Sequence, residues 1–107
     1  KNISGGAILI SRENFLKVGC WDEGYPFYFE DLELCRQLQK NGLLIYFFPD
    51  SRVVHYHGLS GRTLSDQSTQ WRRLIPGSIR YHGRLKHLLI TIIIKTSQIY
   101  RRLKTFL

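Results

Sequence analysis

Six apolar residues in an unbroken row, Leu43-Leu44-Ile45-Tyr46-Phe47-Phe48, constrain this chain more than any other feature. Asn41-Gly42 and Pro49-Asp50 bound the row, and both pairs are turn signals. Its length suits a strand, and its lack of alternation predicts burial on both faces. Such a strand needs partners along its edges and apolar cover above and below. A shorter row, Ala7-Ile8-Leu9-Ile10, follows Gly5-Gly6 and reads as a second buried strand entered through a flexible turn. Ser51 to His57 is a further extended piece.

Helical patterns separate these rows. Ser11 can cap a short helix from Arg12 to Val18, with Phe15 and Leu16 inward and Gly19 as its stop. From Asp31, the residues Leu34, Cys35 and Leu38 share one helical face, and Asn41-Gly42 ends the pattern. Gln67 to Ile75 reads as a helix halted near Pro76-Gly77. Ser78 to Leu107 reads as a last helix, with Leu85, Leu88, Leu89, Ile92, Ile99, Leu103 and Phe106 on one stripe. Its apolar centre, Leu88 to Ile94, is far short of the about 20 apolar residues that span a bilayer. A basic amphipathic helix of this kind fits a membrane surface or a docking site on another domain.

The charge is unevenly distributed. Residues 1–57 carry six Lys or Arg and seven Asp or Glu, while residues 58–107 carry ten and one, so −1 and +9 sum to +8. A basic second half points to a polyanion, either anionic lipid or nucleic acid. Two cysteines, Cys20 and Cys35, are too few for a disulfide framework and predict a reducing compartment. The 107 residues make one domain at most, and Met is absent. The chain opens in mid-pattern at Lys1-Asn2-Ile3, which reads as a piece of a longer protein.

Several residues could carry chemistry. Glu30 and Asp31 stand side by side after Tyr25-Pro26-Phe27-Tyr28-Phe29, at the head of a helical pattern. Apolar surroundings penalise a charged carboxylate and suit it to general-base work, whereas a helix N-terminus favours the anion. The pair therefore reads either as a catalytic site or as an acidic first turn. Trp21 beside Asp22 and Glu23 can hold a sugar, the ring on C–H groups and the acids on hydroxyls. It can equally be a core aromatic with two solvated acids. Gly5-Gly6 permits close approach of backbone to a ligand or simply makes a turn. His55 and His57 fall on one side of an extended segment, as metal ligands or as one core and one surface imidazole. The loop Gly58-Leu59-Ser60-Gly61-Arg62 offers donors to a phosphate or diphosphate.

Taken in order, these pieces resemble the second half of an inverting family 2 glycosyltransferase domain. The likeness rests on Gly5-Gly6-Ala7, Arg12-Glu13-Asn14-Phe15, Val18-Gly19, Trp21-Asp22-Glu23 and Phe27-Tyr28-Phe29-Glu30-Asp31-Leu32-Glu33-Leu34-Cys35-Arg36. Gly42, Pro49, Arg52-Val53-Val54-His55 and the Gly58-to-Ser60 loop extend it. It is nearest to rhamnosyltransferase-type members and covers residues 2–62. The resemblance implies an α/β architecture, a partial GT-A, Rossmann-like nucleotide-diphospho-sugar transferase fold over residues 1–62. Residues 63–107 would be a basic amphipathic helical extension.

The resemblance also implies roles. Asp31 would be the catalytic base, and Glu30 would support the acceptor. Trp21, Asp22 and Glu23 would line the acceptor side, and Gly6 would pass close to the donor sugar. His55 would complete a divalent-metal site, Mg²⁺ or Mn²⁺, whose other ligands lie in an Asp-x-Asp motif outside this sequence. The implied partners are a nucleotide-diphospho-sugar donor, a saccharide or lipid-linked acceptor, and a membrane surface met by residues 78–107. The implied location is cytoplasmic, peripheral at the inner face of the cell membrane. Cys20-Trp21 replaces the family's usual Gly-Phe, which alters the acceptor pocket. No nucleotide-binding βαβ half is present, so the fragment alone is expected to be inactive. Two other readings are a non-catalytic interaction module and a basic nucleic-acid-binding module, the latter carried by Trp71, Tyr81, Tyr100 and the basic tail. Nucleic acid is the less favoured partner, because the basic residues are mixed with an apolar stripe.

Overall fold

The structure is a computed structural model, and it describes residues 2–54, 56 and 70–105. Four α-helices carry it: α1 (Arg12–Lys17), α2 (Glu30–Lys40), α3 (Leu74–His82) and α4 (Arg84–Thr105). A 3₁₀ turn, Gln70–Arg73, leads directly into α3.

Helix α1 forms where its punctuation predicts. The Ser11 hydroxyl accepts a hydrogen bond from the Asn14 N–H at 3.2 Å, satisfying one otherwise unpaired donor of the first turn. Gly19 (φ 88°) and Cys20 (φ 63°) turn the chain away, and the Cys20 N–H closes onto the Phe15 carbonyl at 2.9 Å. Helix α2 buries Leu34, Cys35 and Leu38 on the face that their spacing predicts. Gly42 (φ 70°) ends it. The core is small: Val18, Leu34 and Leu38 are buried, with Ile8, Ile10, Phe15, Leu43 and Ile45 packed on them.

The expected α/β, Rossmann-like sheet is not found. Among the described residues there is no strand, and the architecture is helical. The two apolar rows are extended without a ladder. Ile8 and Ile10, and Leu43 and Ile45, turn inward onto the core. Between and beyond them, Leu9 (101% exposed), Leu44 (76%) and Phe47 (77%) face outward. So only Leu43 and Ile45 of the row 43–48 are covered, on one side, and Tyr46, Phe47 and Phe48 are exposed. The physical reason is that a strand is defined by backbone hydrogen bonds to a neighbour. Apolar composition can predict burial, but it cannot provide that neighbour.

Two further boundaries differ from the sequence reading. Pro76 does not halt a helix; it sits in the first turn of α3, where the N–H it lacks has no intrahelical acceptor to lose. The expected single helix from Ser78 onward breaks at Gly83 (φ 81°). The Gly83 N–H bonds the Ile79 carbonyl at 2.8 Å, and the His87 N–H bonds the Gly83 carbonyl at 3.0 Å, so one residue closes α3 and opens α4. His87 Nδ1 and the Ser78 hydroxyl, 2.9 Å apart, join the two helices. Helix α4 has 22 residues and buries none of them. Among the described residues, no helix is long and apolar enough to cross a membrane.

Candidate functional site

The segment before α2 is conformationally unusual. Tyr28 (φ 66°) and Phe29 (φ 73°) are consecutive side-chain-bearing residues in the left-handed region. Each such residue costs about 1–3 kcal/mol unless its surroundings hold it, and such strain gathers at functional sites. Phe29 takes the N-cap position of α2 and offers no side-chain cap. The three acids of the first turn, Glu30, Asp31 and Glu33, meet the positive end of the helix instead.

Asp31 is held from two directions. One carboxylate oxygen accepts from the Gly5 N–H at 2.9 Å, and the other accepts from the Leu32 N–H at 2.8 Å. A carboxylate has about four lone-pair sites, so each oxygen can still receive a substrate hydroxyl. A Cβ added at Gly5 would lie 3.4 Å from the Asp31 Cβ, so the backbone of the N-terminal loop runs close against the acid. Asp31 lines an open cavity of about 420 Å³ with Ser4, Tyr28, Phe29, Leu32 and Leu74 among its other walls. One oxygen of neighbouring Glu30, Oε2, is buried and accepts no hydrogen bond among the described residues. Buried polar atoms in native proteins usually have a partner, so this oxygen is a candidate to meet a ligand.

Glu33 has a structural place. It is 4% exposed and accepts from the Tyr25 hydroxyl at 3.2 Å, from Gln37 Nε2 at 2.5 Å and from Arg36 Nη2. Burial, then the Glu33 charge, pushes the Tyr25 hydroxyl above its ordinary pKa. Asp22 accepts from the Gly24 N–H at 2.8 Å and from Arg80 Nη2 at 3.0 and 3.1 Å. The hydrogen bond from Arg80, then that from Gly24, holds the Asp22 carboxyl below its ordinary value.

The expected site residues therefore divide. Asp31 is in the cavity wall; Glu30 adjoins it in sequence but is not in that wall. Gly6 is exposed, and its neighbour Gly5 makes the contact with Asp31. Trp21 packs edge-on against Phe15 of α1, ring centroids 6.0 Å apart, and Glu23 is exposed. Neither they nor Asp22 line the cavity. His55, His57 and the whole 58–62 loop lie outside the described residues. Among the described residues no three His, Cys, Asp or Glu side chains gather as a metal site, so these residues do not fit a divalent ion by themselves. Sequence reasoning does not single out Arg80 and Leu74, and it names Gly77 only as part of a helix stop. No local pattern links them to a loop some fifty residues earlier.

The chain is 27% identical over 85 residues to Rhamnosyltransferase WbbL of Escherichia coli K12, covering 79% of this chain and 31% of that protein. It is 39% identical over 54 residues to the N-acetylglucosaminyl-diphospho-decaprenol L-rhamnosyltransferase of Mycobacterium tuberculosis H37Rv, covering 50% of this chain and 18% of that protein. The likeness is to glycosyltransferases. The chain spans less than a third of the length of these curated relatives. No family model matches, and no solved structure matches.

Proposed function

We propose that this chain is the acceptor-side, base-carrying part of an inverting glycosyltransferase of the rhamnosyltransferase type. The observation that carries the reading is Asp31, pinned by the Gly5 N–H in the wall of an open cavity beside a strained aromatic loop. The names of the similar proteins support the reaction class.

The chemistry proposed is a single displacement. An acceptor hydroxyl, from a saccharide or lipid-linked sugar, hydrogen-bonds the Asp31 carboxylate. As its oxygen attacks the anomeric carbon of the donor sugar, its proton passes to Asp31. The bond to the nucleoside diphosphate breaks on the opposite face, so the configuration inverts. The Gly5 and Leu32 N–H groups fix the carboxylate's direction before the acceptor arrives, which supplies part of the barrier lowering through orientation. Glu30 completes the acceptor side, while Trp21, Asp22, Glu23 and Gly6 remain proposed contacts to acceptor or donor. The divalent ion implied by the resemblance, Mg²⁺ or Mn²⁺, belongs to the same proposal with His55 as one ligand; bound, it would neutralise the departing diphosphate. The proton transfer at Asp31 does not depend on it.

The test is transfer by the full-length protein from a panel of nucleoside-diphosphate sugars to saccharide and lipid-linked acceptors. The expected product has the anomeric configuration opposite to that of the donor, and residues 1–107 alone give none. Retention of configuration, or transfer by the isolated stretch, would count against the reading.

Helix α4 supports a peripheral site at the inner face of the membrane. Leu85, Leu88, Leu89, Ile92, Ile99 and Leu103 are exposed and recur on one face at about 100° per residue. By the same spacing, Arg84, Lys95 and Arg102 flank that face on one side, and Lys86 and Lys104 on the other. Half-buried His87, Ile90 and Thr91 lie on the opposite face. An apolar stripe edged by cations suits an anionic lipid surface, with the long basic stems reaching headgroups. The full-length protein is expected to sediment with vesicles containing phosphatidylglycerol and less so as salt rises. Preference for single-stranded oligonucleotide over those vesicles would favour the nucleic-acid reading instead.

A further inference from the structure

Helix α3 belongs to the part of the chain that sequence reading treats as an appendage, yet it covers the acidic loop along its length. The Arg73 guanidinium lies 5.2 Å from the centre of the Phe27 ring. Phe29 packs on the far end of α3, its ring centroid 5.6 Å from that of Tyr81 and 5.8 Å from that of His82. Arg80 grips Asp22 through two contacts of 3.0 and 3.1 Å and covers the Tyr25 ring at 5.2 Å. From the other side, Arg36 of α2 donates to the Tyr81 carbonyl at 3.2 Å and stacks on its ring at 4.4 Å.

The backbone of α3 comes close to the loop at Gly77, which is buried. A Cβ there would stand 2.9 Å from Phe29 Cδ2 and 3.0 Å from the Tyr28 carbonyl oxygen. Tyr28 and Phe29 are the two consecutive left-handed residues before α2, and Glu30 and Asp31 follow them immediately. A strained turn persists only where its surroundings over-determine it. Within the loop Phe29 has no side-chain cap, and the Phe27 and Tyr28 rings meet edge-on with centroids 4.8 Å apart. The long-range contacts to Phe29 come from α3.

We propose that α3 is a clamp that sets the position of Asp31, with Gly77 and Arg80 as positioning residues for the transfer reaction. The inference rests on Asp31 being the base. Gly77 provides the depth of seat for Phe29, because any side chain would push the Tyr28 carbonyl and, through it, the head of α2. Arg80 fixes the start of the same loop through Asp22. Neither residue meets the acceptor; both act through the loop.

The test uses full-length enzyme and measures kcat, KM for donor and acceptor, and the fraction folded. Gly77→Ala is expected to lower kcat per folded molecule about 10–100-fold, since displacement by an ångström at a reacting group costs on that order. The donor KM is expected to move by less than about threefold. Arg80→Gln is expected to lower kcat about tenfold, and Arg80→Lys to restore part of it by keeping one contact to Asp22. A residue that merely stabilised the fold would change the melting temperature and the folded fraction, leaving kcat per folded molecule unchanged. If Gly77→Ala does not fold, Arg80→Gln decides, because its ion pair lies at the surface. Wild-type kcat in the folded variants overturns the clamp while leaving the transferase reading intact. A wild-type enzyme without transfer, or an Asp31→Asn variant with full activity, overturns the reading beneath it.

Discussion

Replacing Asp31 by Asn in the full-length protein is expected to lower the rate of sugar transfer about 10²–10⁴-fold, the usual contribution of a general base. The amide keeps the shape of the side chain and removes its ability to accept the acceptor's proton. The change has a second consequence that the geometry makes explicit. Both carboxylate oxygens accept a backbone N–H, from Gly5 and from Leu32. An amide has one oxygen and one NH₂, so one of those N–H groups would face another donor. Leaving a donor unpaired costs about 1–3 kcal/mol where water cannot replace the partner. The N–H of Gly5 is exposed, so rotation of the amide toward Leu32 keeps the loss at the lower end. Rate and thermal stability must therefore be measured on the same preparation. A rate loss of two orders of magnitude with the protein folded supports the base. A loss of less than about tenfold, accompanied by a lower melting temperature, would show that Asp31 only ties the N-terminal loop to the helix.

Leu34→Ala is expected to be the most destabilising single truncation, at about 2–5 kcal/mol. Leu34 is 2% exposed and packs with Val18 and Leu38 at the centre of a small core. Its loss leaves a cavity that few neighbours can collapse to fill. It also loosens the side of α2 that carries Asp31, three residues earlier in the helix. Because whole proteins hold only about 5–15 kcal/mol of stability, this is a large share. Leu34→Met, which nearly conserves volume, is expected to cost less than about 1.5 kcal/mol. Urea midpoints of the two variants, compared at equal slope, check the pair. Equal midpoints would mean that α2 is not seated through this residue.

How much was legible depended on the range of the interaction involved. The acidic pair at the head of a helix could be read because capping and dipole effects act within one turn. So could the Ser11 cap, the stops at Gly19 and Gly42, and the face made by Leu34, Cys35 and Leu38. The stripe of α4 could be read for the same reason, although the break at Gly83 could not. A helical pattern runs on through a residue whose positive φ depends on how two helices meet. Leu43 to Phe48 shows the opposite case. Its composition reads as a strand covered on both faces, yet only Leu43 and Ile45 pack inward, Leu44 and Tyr46 to Phe48 are exposed, and there is no partner ladder among the described residues.

The candidate site followed the same division. Sequence alone determined that Glu30 and Asp31 begin a helix behind an aromatic run, because that is local chemistry. It also determined that the second half of the chain is basic and amphipathic, because that is composition and spacing. Only the tertiary structure decided that the Gly5 N–H, 26 residues away, holds Asp31, and that Arg80 grips Asp22 across 58 residues. It alone decided that Gly77 is the seat of Phe29. These contacts join segments far apart in the chain, and their energy appears only once the core around Leu34 has brought those segments together.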